Sequence, residues 1–94
     1  MPDPAPKLRL DTWMFQARFF RSRGLAAEVI GAGHLRLNGQ PCGKPGHGVA
    51  VGDVLTFVQA DRVRVVRVLG LGLRRGPATE AQGLYQDVVP SDLE

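Results

Sequence analysis

The apolar positions of this 94-residue chain change their period along its length. Leu10, Trp13, Ala17 and Phe20 recur three to four residues apart. Leu25, Ala26, Val29 and Ile30 form a second arc at the same spacing, and each arc predicts one buried helical face. The first helix is expected over about residues 12–20, with Asp11 as N-cap and Leu10 anchoring the approach. Phe15 and Phe19 form a separate stripe on it, and Met14, Arg18 and Arg21 share the remaining face. The second helix is expected over about residues 23–31, capped by Ser22 and ended by Gly31 and Gly33. Gly24 costs it up to ~1 kcal/mol relative to alanine. The connection between them is very short, so the two helices should pack as a tight pair.

From Leu35 the period falls to two. Leu35 and Leu37 alternate with His34, Arg36 and Asn38, and Asn38-Gly39 is a strong hairpin signal. QPCGKPGHG reads as loop with a short return strand, made flexible over 43–48 by three glycines and His47. VAVGD closes with a Gly-Asp turn. VLTFVQ and RVRVVRV then predict a second hairpin through Ala60-Asp61. The alternation slips at Val65-Val66, which predicts a β-bulge. Arg62 and Arg64 share one face, and the slip decides whether Arg67 joins them. GLGLRRGP is a connector, after which Thr79 and Gln82 suggest a capping box for a short last helix ending near residues 85–88. The expected fold is α+β, with two N-terminal helices packed on a small, mostly antiparallel, twisted sheet and a short C-terminal helix. Residues 1–7, with three prolines in the first six positions, read as a flexible tail, 8–70 as the domain, and 71–94 as connector, short helix and acidic tail.

Composition narrows the function classes. The length suits one domain with a modest core, not a large catalytic cleft with a lid. A single cysteine, Cys42, forms no internal disulfide, so packing must supply stability, as suits a reducing cytosol. The start lacks an apolar leader-type segment and no stretch approaches ~20 apolar residues, so a cytoplasmic protein without a membrane partner is expected. Net charge is +3, but all 12 Lys and Arg lie between residues 7 and 75. Over residues 1–79 these twelve cations meet five acids, leaving +7. A basic body with an acidic tail suggests a polyanionic partner.

The candidate chemistry lies at the break between the helices. Arg21 and Arg23 flank Ser22 at a helix N-terminus, where free N–H groups and the helix dipole favour an anion. Arginines add a bidentate phosphate fork. Arg18, Arg9 and Lys7 lie close enough in sequence to line the same surface. The competing reading is that Ser22 only caps, and the arginines pair with Asp11 and Glu28. Trp13 and Phe20 read as core. His34, Cys42 and His47 match no standard zinc spacing, so no metal is expected. GQPCGK and GLGLRRG miss the spacings of phosphate-binding and dinucleotide-binding loops, so no cofactor is expected. Nothing in the sequence makes a positive case for catalysis.

These residues also form an ordered pattern. R-L-D at 9–11, S-R at 22–23, A-x-x-x-I at 26–30, the glycine at 33, L-N-G at 37–39, K-P at 44–45 and V-x-x-G-D at 49–53 resemble the S-four domain, the RNA-binding module of small-subunit ribosomal protein four. Its two helices and following hairpin form the alpha-L motif. R-L-D-x-W at 9–13, A-R-F at 17–19, N-G-Q at 38–40, R-R-G-P-A-T-E-A at 74–81 and Leu84-Tyr85 further resemble the ribosome-associated heat-shock protein fifteen family. That resemblance implies non-catalytic binding to structured ribosomal RNA on a free large ribosomal subunit that still holds peptidyl-tRNA, with tRNA as a further partner. It places the RNA face on Arg9, Arg18, Arg21, Arg23 and Lys44, with Asn38 and Gly39 setting the hairpin beside it and Asn38 as a further RNA contact. Arg36 joins from the exposed side of its strand. Several family members carry a basic C-terminal extension, and its contacts are not expected from the acidic end seen here. A monomer is expected. Two alternatives stand beside this reading. One is a protein-interaction module presenting Phe15, Phe19, Leu71, Leu73 and Tyr85. The other is a targeting domain working beside an RNA-modifying enzyme such as a pseudouridine synthase.

Overall fold

The computed structural model describes residues 6–59 and 61–88. The elements run β1 (Leu8–Arg9), α1 (Leu10–Gln16), α2 (Arg23–Gly31), β2 (Leu35–Leu37), β3 (Gln40–Pro41), β4 (Gly48–Val49), β5 (Val54–Gln59), β6 (Arg62–Val68), α3 (Ala78–Gln82) and β7 (Tyr85–Asp87). Five strands form one sheet in the order β3-β2-β5-β6-β7, and β1 pairs with β4 in a second, two-stranded ribbon. Every pairing among the described residues is antiparallel. The fold is α+β.

The first helix is shorter than its apolar period predicts, and it starts earlier. Asp11 lies inside its first turn rather than capping it, and Arg9 occupies the N-cap position with no side-chain cap. Backbone from a distant loop does the capping. Leu10 N donates to His47 O at 2.9 Å and Asp11 N donates to Pro45 O at 3.1 Å. These bonds satisfy two of the amides that a helix start leaves open. They also pin the 43–48 loop, together with the β1–β4 pairs Leu8–Val49 and Arg9–Gly48. The glycine-rich loop is therefore held against α1 instead of hanging free.

The helix ends at Gln16 because Arg18 turns left-handed, with φ of 65°. Arg18 N donates to Phe15 O and Phe19 N to Met14 O, the paired bonds of a Schellman motif. Glycine is the usual residue at this position, so the sequence carries no warning of the stop. The turn throws Phe19 inward. Its ring lies 5.9 Å from Trp13, 5.0 Å from Phe57 and 4.6 Å from Tyr85, centroid to centroid. Phe19 is thus core, and Phe20 packs half-buried against Phe57 at 6.4 Å. Leu71 and Tyr85 also pack on the core, which leaves Leu73 as the fully exposed member of the expected interaction patch.

Local signals set α2 and the first hairpin. Ser22 caps α2 through its side chain, which accepts from Leu25 N at 3.0 Å. Gly33, with φ of 86°, ends it. Ala26 and Ile30 are buried, whereas Leu25 is 41% exposed at the edge of the expected face. Asn38 and Gly39 both have positive φ, the conformation a two-residue hairpin turn demands.

Two expectations fail on the C-terminal side. The β5–β6 register runs without interruption from Val54–Arg67 to Gln59–Arg62, so there is no bulge at Val65-Val66. Val66 and Val68 face the core, Arg64 shares their side, and Arg67 falls on the opposite one. The apparent slip arises because Val63 and Val65 are apolar on the outer face, where Val63 is 69% exposed. The last helix has Pro77 as N-cap with no side-chain cap, so Thr79 and Gln82 form no capping box. It ends at Gln82, and Tyr85–Asp87 instead extends the sheet beside β6. The free edge of β6 offers this segment backbone partners that a frayed helical turn would lack.

The core gathers Leu10, Trp13, Met14, Ile30, Leu35, Leu55, Phe57, Val66 and Val68 between the helices and the sheet. Trp13 is fully buried, and its Nε1 donates to Gly70 O at 2.8 Å, locking the connector after β6 to α1. Trp13→Phe should lower stability by about 2 kcal/mol, through the orphaned carbonyl and the lost ring volume. Urea unfolding followed by circular dichroism reads this as a lower midpoint.

Candidate nucleic-acid interface

A cleft opens where the start of α1 faces the start of α2. Arg9, Asp11 and Thr12 form one wall, and Arg23, Gly24 and Ala27 form the other. Ser22 sits at the head of α2 and spends its hydroxyl on Leu25 N. Arg21 and Arg23 are exposed, and among the described residues no side-chain hydrogen bond or ion pair engages either. Arg21 and Arg23 thus make no pair with Asp11 or Glu28. Arg9 does pair with Asp11. Its Nε donates to Oδ1 and its Nη2 to Oδ2, both at 3.1 Å. Burial pushes the Asp11 carboxyl up, but hydrogen bonds from Arg9 and Thr12 and the Arg9 charge outweigh it and leave the pKa lowered. The same pairing raises Arg9, whose partner's hydrogen bond and charge exceed the small cost of burial.

The other sequence candidates separate. Lys7 runs along Gly48, where an added Cβ would meet its side chain at 3.0 Å, beside the β1–β4 ribbon. Arg18 points elsewhere. Its Nε donates to Gly76 O at 2.7 Å, and it lines a different cleft with Gln59, Arg64, Ala78 and Ala81. Arg36 makes a long bond from Nη1 to Gly39 O at 3.4 Å. Lys44 and His47 line a further cleft with Leu37, Gln40, Pro41 and Cys42. The Asn38 side chain is used at both ends, donating from Nδ2 to Asp53 Oδ1 at 3.2 Å and accepting from Val54 N at 2.9 Å. It staples the first hairpin to β5.

Several cations brace the fold. Arg64 donates to Gln59 and to Asp87, the latter at 2.8 Å, and its guanidinium lies 5.5 Å from the Phe19 ring centroid. Arg75 donates to Phe15 O at 3.3 Å and covers the Phe15 ring at 4.9 Å. Arg74 pairs with Glu80. Among the described residues no three His, Cys, Asp or Glu side chains converge as a metal site would require, and no helix is long and apolar enough to cross a membrane.

The S4 domain matches residues 8–55, a span that holds both walls of the Arg9–Arg23 cleft. Heat shock protein 15 of Escherichia coli K12 is 40% identical over 88 residues, covering 94% of this chain and 65% of its own. Its homolog from Aeromonas salmonicida is 39% identical over 94 residues, covering 97% and 70%. The trimeric heat shock protein 15 of Vibrio cholerae superposes with a TM-score of 0.84 at 31% identity, covering 94% of this chain and 87% of that one. The chain belongs to the S4-domain heat shock protein 15 family. It spans about two thirds of the length of the Escherichia coli relative.

Within this heat shock protein 15 fold, sequence reasoning took Asp11 for a cap and missed its place in the cleft wall, along with Thr12, Gly24 and Ala27. The Arg-x-Asp spacing at 9–11 was the available signal. The Arg75 brace carried none, because it spans 60 residues.

The two kinds of residue at the head of α2 predict opposite outcomes. Ser22→Ala removes the cap and should cost about 1 kcal/mol, whereas Arg21→Ala and Arg23→Ala should leave the unfolding midpoint unchanged or slightly raised, because a cation at a helix start opposes the dipole. Asp11 adds a pH signature. Its pKa is lowered from 3.8, so its stabilisation is full above that value and is lost as pH falls through the folded one. Asp11→Asn should therefore unfold at a lower temperature than wild type at pH 7, and the gap should close in strong acid.

Proposed function

We propose that this chain binds structured ribosomal RNA without catalysing a reaction on it, through the cleft between α1 and α2. The observation that carries the reading is the placement of Arg9 and Arg23 on facing walls, with exposed Arg21 beside them at the head of α2. Two guanidiniums held apart by a rigid helix pair can grip successive phosphates of one strand. Such contacts read backbone geometry rather than base identity, the usual mode for A-form RNA. The S4 match over this segment supports RNA as the polyanion. Arg18, Lys7, Arg36 and Lys44 add flanking positive potential, and Asn38 supports the hairpin.

The heat shock protein 15 relatives support a ribosomal target. In this reading the chain acts in the cytoplasm under stress, on large ribosomal subunits that retain peptidyl-tRNA after translation stalls. One chain supplies both walls of the cleft, so the reading takes the monomer as the binding unit, while the Vibrio cholerae relative is trimeric.

Binding to purified large ribosomal subunits and to a ribosomal RNA stem-loop should weaken steeply as salt rises. Replacing Arg21 and Arg23 together by alanine should weaken binding and reduce the logarithmic salt slope by about 2, roughly one for each lost phosphate contact. A salt-insensitive interaction, or an unchanged slope in the folded double variant, would remove the basis for the cleft as the RNA seat.

A further inference from the structure

A carboxylate lies in the wall of this cleft, where it would repel a polyanion. Asp11 is also well anchored. Its side chain is 9% exposed, and Oδ1 accepts from Thr12 N at 2.8 Å and from Thr12 Oγ1 at 3.4 Å as well as from Arg9. Its own amide is held by Pro45 O. Arg9, by contrast, has a side chain 63% exposed. The ion pair therefore joins a buried, anchored carboxylate to a solvent-exposed guanidinium. The fork uses Nε and one N–H of Nη2, leaving three N–H groups of the guanidinium, two on Nη1 and one on Nη2, directed away from Asp11. The Gly46 turn passes beside the group. A Cβ built on Gly46 would lie 3.5 Å from Cζ, 3.6 Å from Nη1 and 3.7 Å from Nη2. These nearly equal distances place the flat face of the guanidinium over the Gly46 turn.

Building on the RNA-binding reading above, we infer that Asp11 is a positioning residue for RNA: it holds Arg9 with its free edge presented to a phosphate, so a negative charge strengthens the grip on a polyanion. An unrestrained arginine must lose its rotamer freedom when it binds, and here that loss is taken on folding. The pair is close to neutral as a unit, so the long-range attraction comes from Arg21, Arg23 and the head of α2, and the pair contributes geometry. The lowered pKa keeps Asp11 ionised, and the fork intact, throughout the neutral range.

Charge and geometry predict opposite signs, so one titration separates them. Binding of a fluorescent ribosomal RNA stem-loop by the full chain is followed by anisotropy for wild type, Asp11→Asn, Arg9→Ala and the double variant, each checked for folding by circular dichroism. Asp11→Asn should weaken binding about two- to tenfold, the cost of ordering one long side chain. The same change in the Arg9→Ala background should have no further effect. Tighter binding by Asp11→Asn, as removal of a negative charge alone would give, overturns the inference. Equal weakening in both backgrounds also overturns it, because Asp11 would then act by another route. Should Asp11→Asn unfold, Arg9→Lys keeps the charge at an exposed site but cannot make the fork. Unchanged affinity of Arg9→Lys overturns the inference. Weakening supports it only where Asp11→Ala, compared in the wild-type and Arg9→Lys backgrounds, weakens binding in the first and not in the second; equal effects in both overturn it. Absence of RNA binding by the wild type would sink the functional reading itself, whereas the Asp11 outcomes above sink only the positioning role.

Discussion

The docking of the 43–48 loop on the first turn of α1 is the contact on which the candidate site depends. Helix starts leave amides without partners, and a seven-residue helix opened by arginine has no side chain to spare for them. Here Pro45 and His47 carbonyls supply two of the missing acceptors. The same two bonds fix where the chain runs just before the helix, and so where Arg9 leaves the backbone. They also bring Gly46 beneath the Arg9 guanidinium. The β1–β4 ribbon, only two residues per strand, reinforces this docking from the other side. Loss of the loop contacts would free the Arg9 wall of the cleft while leaving the five-stranded sheet in place.

The opposite wall is built by different means. Ser22 satisfies an amide of α2 through its own hydroxyl, so Arg21 and Arg23 are free of any capping task. The two walls are held at a set distance by the buried faces of α1 and α2. Between them Trp13, Ala26 and Ile30 are fully or almost fully enclosed. Phe19 then ties the helix pair to the sheet through Phe57 and Tyr85. A long route of packed aromatic groups thus supports a shallow surface feature. Close-packed interiors resist small displacements, which is what the proposed reading of phosphate geometry at this cleft needs.

How far the sequence reveals this depends on the range of each signal. Ser22 as cap, the extent of α2 and the Asn38-Gly39 turn were legible because each rests on neighbours within four residues. The end of α1 was not, since Arg18 adopts a left-handed conformation that only Gly or Asn would have advertised. Asp11 was misread for a related reason. Asp followed by an apolar helical run is a sound capping signal, but the acceptors came from a loop more than thirty residues away. The expected bulge in β6 mistook apolar residues on an exposed face for a change of register. The strand at Tyr85–Asp87 needed knowledge that β6 had a free edge, which no local pattern carries. In the candidate site, Arg9, Arg21 and Arg23 were picked out by composition and spacing. Their division from Arg18 was invisible, because it turns on a bond from Arg18 to Gly76, 58 residues on.

That division changes what the basic character of the chain means. Counted along the sequence, the cations look like one reservoir of positive potential. In three dimensions they do two jobs. Arg18 and Arg75 reach the backbone carbonyls of Gly76 and Phe15 and so clamp the connector after β6 to the end of α1. The last turn of a helix is a favourable place for positive charge, so Arg75 at Phe15 O stabilises by dipole as well as by hydrogen bond. Arg64 spans Gln59, Asp87 and the face of Phe19, joining the edge strand to the core. Each of Arg18 and Arg75 commits its Nε to a fixed carbonyl, which sets where its guanidinium lies while its charge still adds to the field. In the proposed reading the local grip rests on the guanidiniums at the mouth of one cleft, Arg9, Arg21 and Arg23, and the bracing arginines add to the field around them.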